Sequence, residues 1–272
     1  MNTSLQLAIR DRHLIRCASR IPVPPILVAL QSAGLVLDHG TPESRIIPAI
    51  VITCIFGIVG YLMHGVTRSG AVAGTLLAFI IYVGLGLGGF LSLLAVFGIT
   101  WVTTRIGFTR KRQLGLAEDT RGRNAGQVLA NLAVAAGFSV IAIFHRAFAF
   151  AAVAALAEAA ADTASSELGE VLARRSRLIT TFKVVDPGTN GGVSVTGTLA
   201  AIAAAVAIAR IAGQLHVIHP GLWWVVAVSG FFGTLIDSLL GATLEREHRL
   251  NNNTVNLLST FGAGVVALAI LF

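Results

Sequence analysis

The sequence predicts an all-α, polytopic integral membrane protein, a helix bundle with about eight or nine transmembrane helices. The first observation is a mean hydropathy of +0.79, with 55% hydrophobic residues. The second is a charged fraction of 12%, about half the share that is typical of a soluble domain. The third is a succession of apolar runs of roughly 20 residues, the length that a helix needs to cross a bilayer. Apolar residues in this excess are surface for lipid.

The apolar runs divide the chain into an N-terminal segment, 1–45, and a helical membrane domain, 46–272. Within the N-terminal segment, the weak run 22–39 either spans the membrane or lies at its interface. The glycine-rich joint Gly84–Gly89 predicts a tight turn or a broken helix between two spans. The eight clear spans lie near 46–63, 70–85, 88–105, 125–143, 147–165, 193–212, 221–243 and 254–272.

The distribution of Lys and Arg predicts which helix ends face the cytoplasm. If 22–39 spans and the N-terminus is inside, 17 of the 20 basic residues are cytoplasmic, and otherwise 13 are. Both cases place the loops 106–124, 166–192 and 244–253 inside. We therefore expect a multi-pass protein of a bacterial or archaeal plasma membrane, with its functional chemistry at the cytoplasmic face. The net charge of +7 fits this topology and anionic lipid heads, and predicts no nucleic-acid partner.

Three carboxylates lie inside the apolar runs and need an explanation. Glu158 and Asp162 are four residues apart in the alanine-rich run 157–169, so they face the same side of a helix. Asp237 lies inside another predicted span. Carboxylates at membrane depth are costly unless they are paired, hydrated or bound to metal. The alternatives are helix-end carboxylates facing water, for the first pair, and a buried aspartate capped by a neighbouring Ser or Thr, for Asp237.

A glycine-rich loop at 187–192 cannot form regular helix and leads into a helix that begins near Val193. The backbone amides of such a loop and the positive end of the helix dipole suit a phosphate group. The alternative is an ordinary loop followed by a helix N-cap. The candidate phosphate-binding residues are Lys183, Gly188, Thr189, Asn190, Gly191, Gly192 and Ser194.

Further polar residues lie at the same predicted membrane face. Arg105 is close enough to the membrane to bind an anion, whereas the basic run 110–112 is more simply a topology anchor. Asn253 and Asn256 come at the start of the last span, where they serve either as neutral ligands or as helix N-caps. Arg105 and the two asparagines therefore join the candidate site residues.

Acidic helices and a phosphate-type loop at one membrane depth indicate phosphate bound through a metal ion. Mg²⁺ is the expected cofactor, because it is typically held by one or two carboxylates together with phosphate oxygens. A transporter of an anionic lipid or solute would use similar broken helices. Such a transporter usually shows an internal repeat, and the sequence shows none.

The same stretches resemble the phytyl-phosphate kinase family of integral membrane proteins over about residues 100–260. The motifs are TTRIG with its basic tail, GRNAGQVLAN, AEAAADTASSELG, RLITT, DPGTNGGVSVTGTLA, and IDSLLGATLE with NNNTVNLLST. Family members tend to carry an aromatic residue after ADT, where this chain has Ala164. The resemblance implies transfer of a phosphoryl group from a nucleoside triphosphate, with CTP as the expected donor, to a phytyl, farnesyl or geranylgeranyl monophosphate.

The interpretation that follows from this resemblance assigns a role to each candidate residue. Asp162 and Asp237 hold Mg²⁺ with help from Glu158, and Lys183 acts with the loop 188–192 on the nucleotide phosphates. Arg105 holds the acceptor phosphate, and Asn253 and Asn256 complete the polar shell. The alternative reaction is that of a membrane cytidylyltransferase of lipid phosphates, which attacks the α-phosphorus. The sequence leaves the prenyl chain length, the nucleotide base and the oligomeric state open.

Overall fold

The computed structural model describes residues 41–113, 122–173 and 175–272, so the weak run 22–39 lies outside the described residues. The predicted all-α membrane bundle is confirmed. Six described helices are long and apolar enough to cross a membrane, and α1 is a shorter apolar helix. The helices are α1 (Ile46–Leu62), α2 (Arg68–Arg105), α3 (Phe108–Gln113), α4 (Ala125–Ala142), α5 (Ala147–Leu172), α6 (Val195–Gln214), α7 (Trp223–Leu240) and α8 (Asn252–Leu271).

Helix α2 is a hairpin of two arms that meet at Gly86. The φ of 71° and ψ of −170° at Gly86 lie outside the helical range, in a region that only glycine adopts readily. The first arm begins with Gly70 against the backbone of Arg123, just before α4. It ends with Gly84 against Ser139, near the far end of α4. The first arm therefore runs alongside α4 from one end of the bundle to the other.

The second arm of α2 returns to the starting end. Gly88 lies against Leu215, which follows α6, whereas Thr104 donates a hydrogen bond to Glu167 near the end of α5. Each arm has about 18 residues, or roughly 27 Å, close to the thickness of a bilayer core. The two spans predicted on either side of the glycine-rich joint are therefore separate, antiparallel crossings.

The basic residues separate between the two ends of the bundle. We call the end where Arg105 and Arg123 lie the site end. Arg45 lies at the opposite end beside Gly86, Arg146 lies there just before α5, and Arg210 lies there near the end of α6. This separation agrees with the distribution from which the topology was predicted.

Helix α5 forms the centre of the bundle, where it contacts α2, α4, α6, α7 and α8. Every residue from 149 to 161 is buried, and most are alanines, whose small side chains let neighbouring helices approach closely. Large apolar side chains such as Ile47, Phe144 and Leu199 are exposed on the outside. In a membrane protein these exposed side chains form the lipid-facing surface.

The connection between α5 and α6 carries a small sheet that the sequence did not predict. Strand β1 (Ser176–Leu178) pairs antiparallel with β2 (Val184–Val185) on one side and with β3 (Gly192–Val193) on the other. The glycine-rich loop joins β2 to β3, so the sheet holds both ends of this loop. A π-helical segment at Gly241–Glu245 continues α7 toward the same region.

Candidate active site

A polar cavity of about 240 Å³ lies at the site end, between the glycine-rich loop and the neighbouring ends of α4 to α8. Five carboxylates line it: Asp162, Glu167, Glu170, Asp237 and Glu245. The whole loop 188–192 also lines it, together with Ser194. The acidic helices and the glycine-rich loop, which lie far apart in the sequence, are therefore brought together.

Helix α5 supplies Asp162 to the cavity and Glu158 to the layer beneath it. Glu158 is 1% exposed, and its Oε1 atom has no hydrogen-bond partner among the described residues. Its side chain lies against Gly233 of α7, where a larger residue would collide with it. Glu158 also interacts electrostatically with Asp162 and Asp237. A buried carboxylate among other carboxylates needs a compensating positive charge.

Helix α7 and its π-helical extension supply two further carboxylates. Asp237 accepts a hydrogen bond of 3.3 Å from Ser259 Oγ of α8, which is the kind of partner that the alternative interpretation of Asp237 required. Glu245 ends the π-helical segment and interacts electrostatically with both Asp162 and Asp237. Single-turn π segments inside α-helices are frequent at functional sites, because they redirect the side chains that follow.

The glycine-rich loop packs tightly on the end of α7. Gly191 has a φ of 74°, and a Cβ atom there would collide with the backbone of Ala242. The backbone amide of Thr189 already donates to the carbonyl of Asp186. The backbone amide of Gly192 donates to the carbonyl of Thr189. Packing against Ala242 therefore explains why position 191 is glycine, independently of any phosphate.

Helix capping accounts for part of the predicted polar shell. Ser194 accepts a hydrogen bond from Gly197 N and so caps α6, while still lining the cavity. Asn251 caps α8 through Thr254 N. Asn256 lines the cavity, as predicted, whereas Asn253 is exposed and does not line it.

Two predicted cations do not reach the polar cavity. Lys183 is exposed in the turn between β1 and β2 and is not among the lining residues. Arg105 also lies outside this cavity; its guanidinium is 3.9 Å from the ring centroid of Trp101, and its Nη2 donates to Met63 O.

Arg123, which the sequence interpretation did not single out, is the cation that lines the polar cavity within the described residues. Its Nη2 donates to Thr163 Oγ1 over 3.3 Å, and its charge acts on Asp162. Its backbone is fixed on both sides, because Arg123 N donates to Gly65 O and Thr67 N donates to Arg123 O. The local signals for it were its place immediately before the capped start of α4 and its presence in the motif GRNAGQVLAN.

The basic run 110–112 is not simply a topology anchor, because Lys111 is 1% exposed. Its ammonium group forms an ion pair with Glu167 and donates to the carbonyl of Thr104 over 2.8 Å. Arg110 and Arg112 on either side are exposed, as an anchor requires. Lys111 therefore serves the wall of the cavity rather than the membrane surface.

The carboxylates suit a cation that binds together with phosphate. Within the three described ranges, no three His, Cys, Asp or Glu side chains are placed to hold a metal ion by themselves. Mg²⁺ needs fewer protein ligands where phosphate oxygens and water complete its shell. The unpartnered Oε1 atom of Glu158 and the closeness of Glu158 to Asp162 and Asp237 fit such an ion. The set Glu158, Asp162 and Asp237 stays a prediction.

The fold and the site define a class: a polytopic helical membrane protein with an acidic cavity, closed by a glycine-rich loop, at one end of its bundle. Residues 51–264 match the family model described as integral membrane protein DUF92, and the chain belongs to this family. The family membership confirms the resemblance to the phytyl-phosphate kinase family. At family level it supports a membrane function related to prenyl phosphates.

Three relatives illustrate the range of this family. An uncharacterised membrane protein of Methanocaldococcus jannaschii is 31% identical, over 83% of this chain and 94% of its own length. Protein VTE6, chloroplastic, of Arabidopsis thaliana is 31% identical, over 76% of this chain and 66% of its own length. Protein PGR of Arabidopsis thaliana is 32% identical, over 75% of this chain and 81% of its own length. No solved structure matches the chain.

Proposed function

We propose that this protein is a prenyl-phosphate kinase that uses a nucleoside triphosphate, with CTP as the expected donor, to convert a prenyl monophosphate into a prenyl diphosphate. The observation that carries the proposal is the polar cavity, where Asp162 of α5 and Asp237 of α7 lie together with the loop 188–192 and Arg123. The family relation to VTE6 supports a kinase-type enzyme.

The proposed reaction transfers the γ-phosphoryl group. The bond from the γ-phosphorus to the oxygen that bridges it to the β-phosphorus breaks, and the nucleoside diphosphate leaves with that oxygen. An oxygen of the acceptor phosphate forms the new bond to the γ-phosphorus. Because the acceptor phosphate is already anionic near neutral pH, the protein does not need a strong general base. Positioning and charge neutralisation then account for most of the catalysis.

Each part of the cavity has a role in this reaction. Asp162 and Asp237, with Glu158 behind them, would hold Mg²⁺, which when bound neutralises charge on the nucleotide phosphates. The loop 188–192 would orient the nucleotide through its backbone. Arg123 replaces Arg105 as the group that would hold the acceptor phosphate, since Arg123 lines the cavity that contains Asp162. The acceptor is therefore expected beside α4 and the nucleotide beside the loop.

The proposed site faces the cytoplasm, where nucleoside triphosphates are available. The support for this orientation is the distribution of basic residues, since most of them belong to loops at the site end. A transporter would be expected to hold its substrate near the middle of the membrane. The carboxylates here are instead associated with loop residues at the end of the helices, which favours an enzyme at the interface.

Incubation of the purified protein with radiolabelled CTP, MgCl₂ and geranylgeranyl monophosphate tests the proposal. CDP and geranylgeranyl diphosphate are the expected products. Release of pyrophosphate with a CMP-linked lipid would instead establish a cytidylyltransferase. If no geranylgeranyl diphosphate forms with CTP, ATP, GTP or UTP as the donor, the kinase proposal is wrong.

A further inference from the structure

A second cavity, of about 320 Å³, lies next to the polar one and is enclosed mainly by apolar side chains and glycines. Its walls are α1 near Phe56, the first arm of α2 near Gly74, the second arm near Phe97, and α4 near Leu132. We call it the apolar cavity. A concave and mainly apolar space of this size is the kind of site that binds a ligand with an apolar body.

The apolar and polar cavities share one wall. Arg123, Gln127 and Asn131 line both of them. The side chain of Arg123 reaches Thr163, next to Asp162, so its charge lies at the junction between the two cavities. A ligand that extends through this junction would have an apolar body on one side and an anionic head beside Arg123.

We propose that the apolar cavity binds the prenyl chain of the acceptor, so that the chain lies inside the bundle while its phosphate reaches the polar cavity past Arg123. This inference rests on the proposed function, since it names where the substrate of that reaction binds. A prenyl monophosphate matches both chemistries, because its hydrocarbon chain suits the glycine-rich and aromatic walls and its phosphate suits Arg123. Arg105 adds a second cation to the lining of the apolar cavity.

Glycine positions provide a direct test of the occupant. A Cβ atom at Gly74 would meet only Val128, at 3.8 Å, so a larger residue there can enter the cavity without striking the backbone. Gly137 of α4 offers a matched control, because it is exposed, meets nothing within 4 Å and does not line the cavity. Gly74→Leu and Gly137→Leu both exchange glycine for leucine within a helix, so they differ chiefly in whether the new side chain enters the cavity.

The kinetic comparison uses geranyl, farnesyl and geranylgeranyl monophosphate with the full chain in lipid nanodiscs. We expect Gly74→Leu to raise the KM for geranylgeranyl monophosphate about tenfold or more, with a smaller effect on geranyl monophosphate. The KM for CTP should stay within about twofold of the original value, and Gly137→Leu should change neither. An equal effect of Gly74→Leu on all three acceptors, or none, would overturn the inference.

Photocrosslinking tests the same inference without relying on activity. A farnesyl monophosphate with a diazirine at the end of its chain is bound to the unmodified protein, and the modified residues are identified by mass spectrometry. We expect modification near Phe56, Phe97 or Leu132, and competition by farnesyl monophosphate but not by excess phosphatidic acid. Modification confined to lipid-facing residues such as Phe144, or equal competition by phosphatidic acid, would overturn the inference.

The two tests separate this inference from the proposed function. Competed crosslinks in the apolar cavity without any phosphoryl transfer would reject the kinase and retain the chain-binding site. Phosphoryl transfer with crosslinks only on the lipid-facing surface would retain the kinase and reject the site. If Gly74→Leu fails to fold, the crosslinking map of the unmodified protein still decides the matter.

Discussion

Lys111 and Glu167 form a buried ion pair that ties the short helix α3 to the end of α5 at the wall of the polar cavity. The side chains are 1% and 8% exposed, so neither charge is screened by water. Thr104 also donates to the same carboxylate over 3.0 Å. The pair therefore joins the second arm of α2, α3 and α5 at one point.

Replacing Lys111 with Met should destabilise the protein strongly. The variant leaves the Glu167 carboxylate buried without its cation, which typically costs about 3–5 kcal/mol. Adding Glu167→Gln should recover a large part of this loss, because the uncompensated charge is then absent. Thermal unfolding in detergent measures the effect, with the exposed Arg110→Met as control. If Lys111→Met and Arg110→Met unfold at the same temperature, the pair has no structural role.

Much of the fold could be predicted because apolar runs of membrane length are a local property of the sequence. The reversal at Gly86 was also predictable, since four glycines crowd the joint between two spans. The meeting of Asp162 with Asp237 was predictable from topology, because both lie near helix ends that the basic residues assign to one membrane face. These inferences need only hydropathy, charge and chain direction.

The parts that escaped prediction depend on contacts between distant segments. Arg123 is positioned by backbone hydrogen bonds to the segment 65–67, and no local pattern shows this pairing. Lys111 resembles its exposed neighbours in sequence, and only packing against α5 distinguishes it. The strands around the glycine-rich loop have only two or three residues each, which is too short to show an alternating hydrophobic pattern. Lys183 was predicted to lie at the site because it is close to the loop in sequence, but it does not line the cavity.

Asp162→Asn and Asp237→Asn should each lower turnover by about a hundred- to thousandfold while the protein stays folded. Each change removes a negative oxygen that we assign to Mg²⁺, and the amide that replaces it has nearly the same size. Initial rates at saturating MgCl₂ measure the loss, and the exposed loop variant Asp186→Asn is the control. A near-normal rate in either variant would show that its carboxylate is structural.

Arg123→Gln should reduce kcat/KM for the prenyl monophosphate by about a hundredfold. The KM for CTP should change little, because we assign the nucleotide to the opposite wall of the cavity. Arg123→Lys should restore only part of the activity, since lysine lacks the planar fork that holds a phosphate through two hydrogen bonds. Steady-state kinetics with each substrate varied in turn provide the measurement, with Arg112→Gln as an exposed control. A larger effect on CTP than on the acceptor would place the nucleotide, not the acceptor, at Arg123.

Gly191→Ala should lower the stability of the fold and weaken the binding of both substrates together. The new Cβ atom would collide with the Ala242 backbone, and the φ of 74° is unfavourable for alanine by roughly 1–2 kcal/mol. Gly98→Ala is the matched control, because a Cβ atom there meets nothing within 4 Å. Thermal unfolding and separate binding titrations for CTP and the acceptor distinguish the causes. Loss of CTP binding alone, at unchanged stability, would mean that position 191 serves the nucleotide rather than the packing.

The last prediction concerns the orientation of the bundle in the membrane. Thr180 is exposed in the turn that follows β1 at the site end, whereas Arg146 is exposed at the opposite end, just before α5. In a background with Cys17→Ser and Cys54→Ser, a single cysteine is introduced at either position. Because most basic residues belong to loops at the site end, we expect that end to face the cytoplasm.

A membrane-impermeant maleimide then distinguishes the two orientations. The Arg146→Cys variant should react in intact cells, and the Thr180→Cys variant should react only after the membrane is permeabilised. Removing Arg146 takes a positive charge from the outer side, so the substitution itself reinforces the expected orientation rather than reversing it. If the Thr180→Cys variant reacts in intact cells as fast as the Arg146→Cys variant does, the polar cavity faces outward. Its carboxylates would then lie away from the cellular nucleotide pool, and a kinase that uses cytoplasmic CTP would be ruled out.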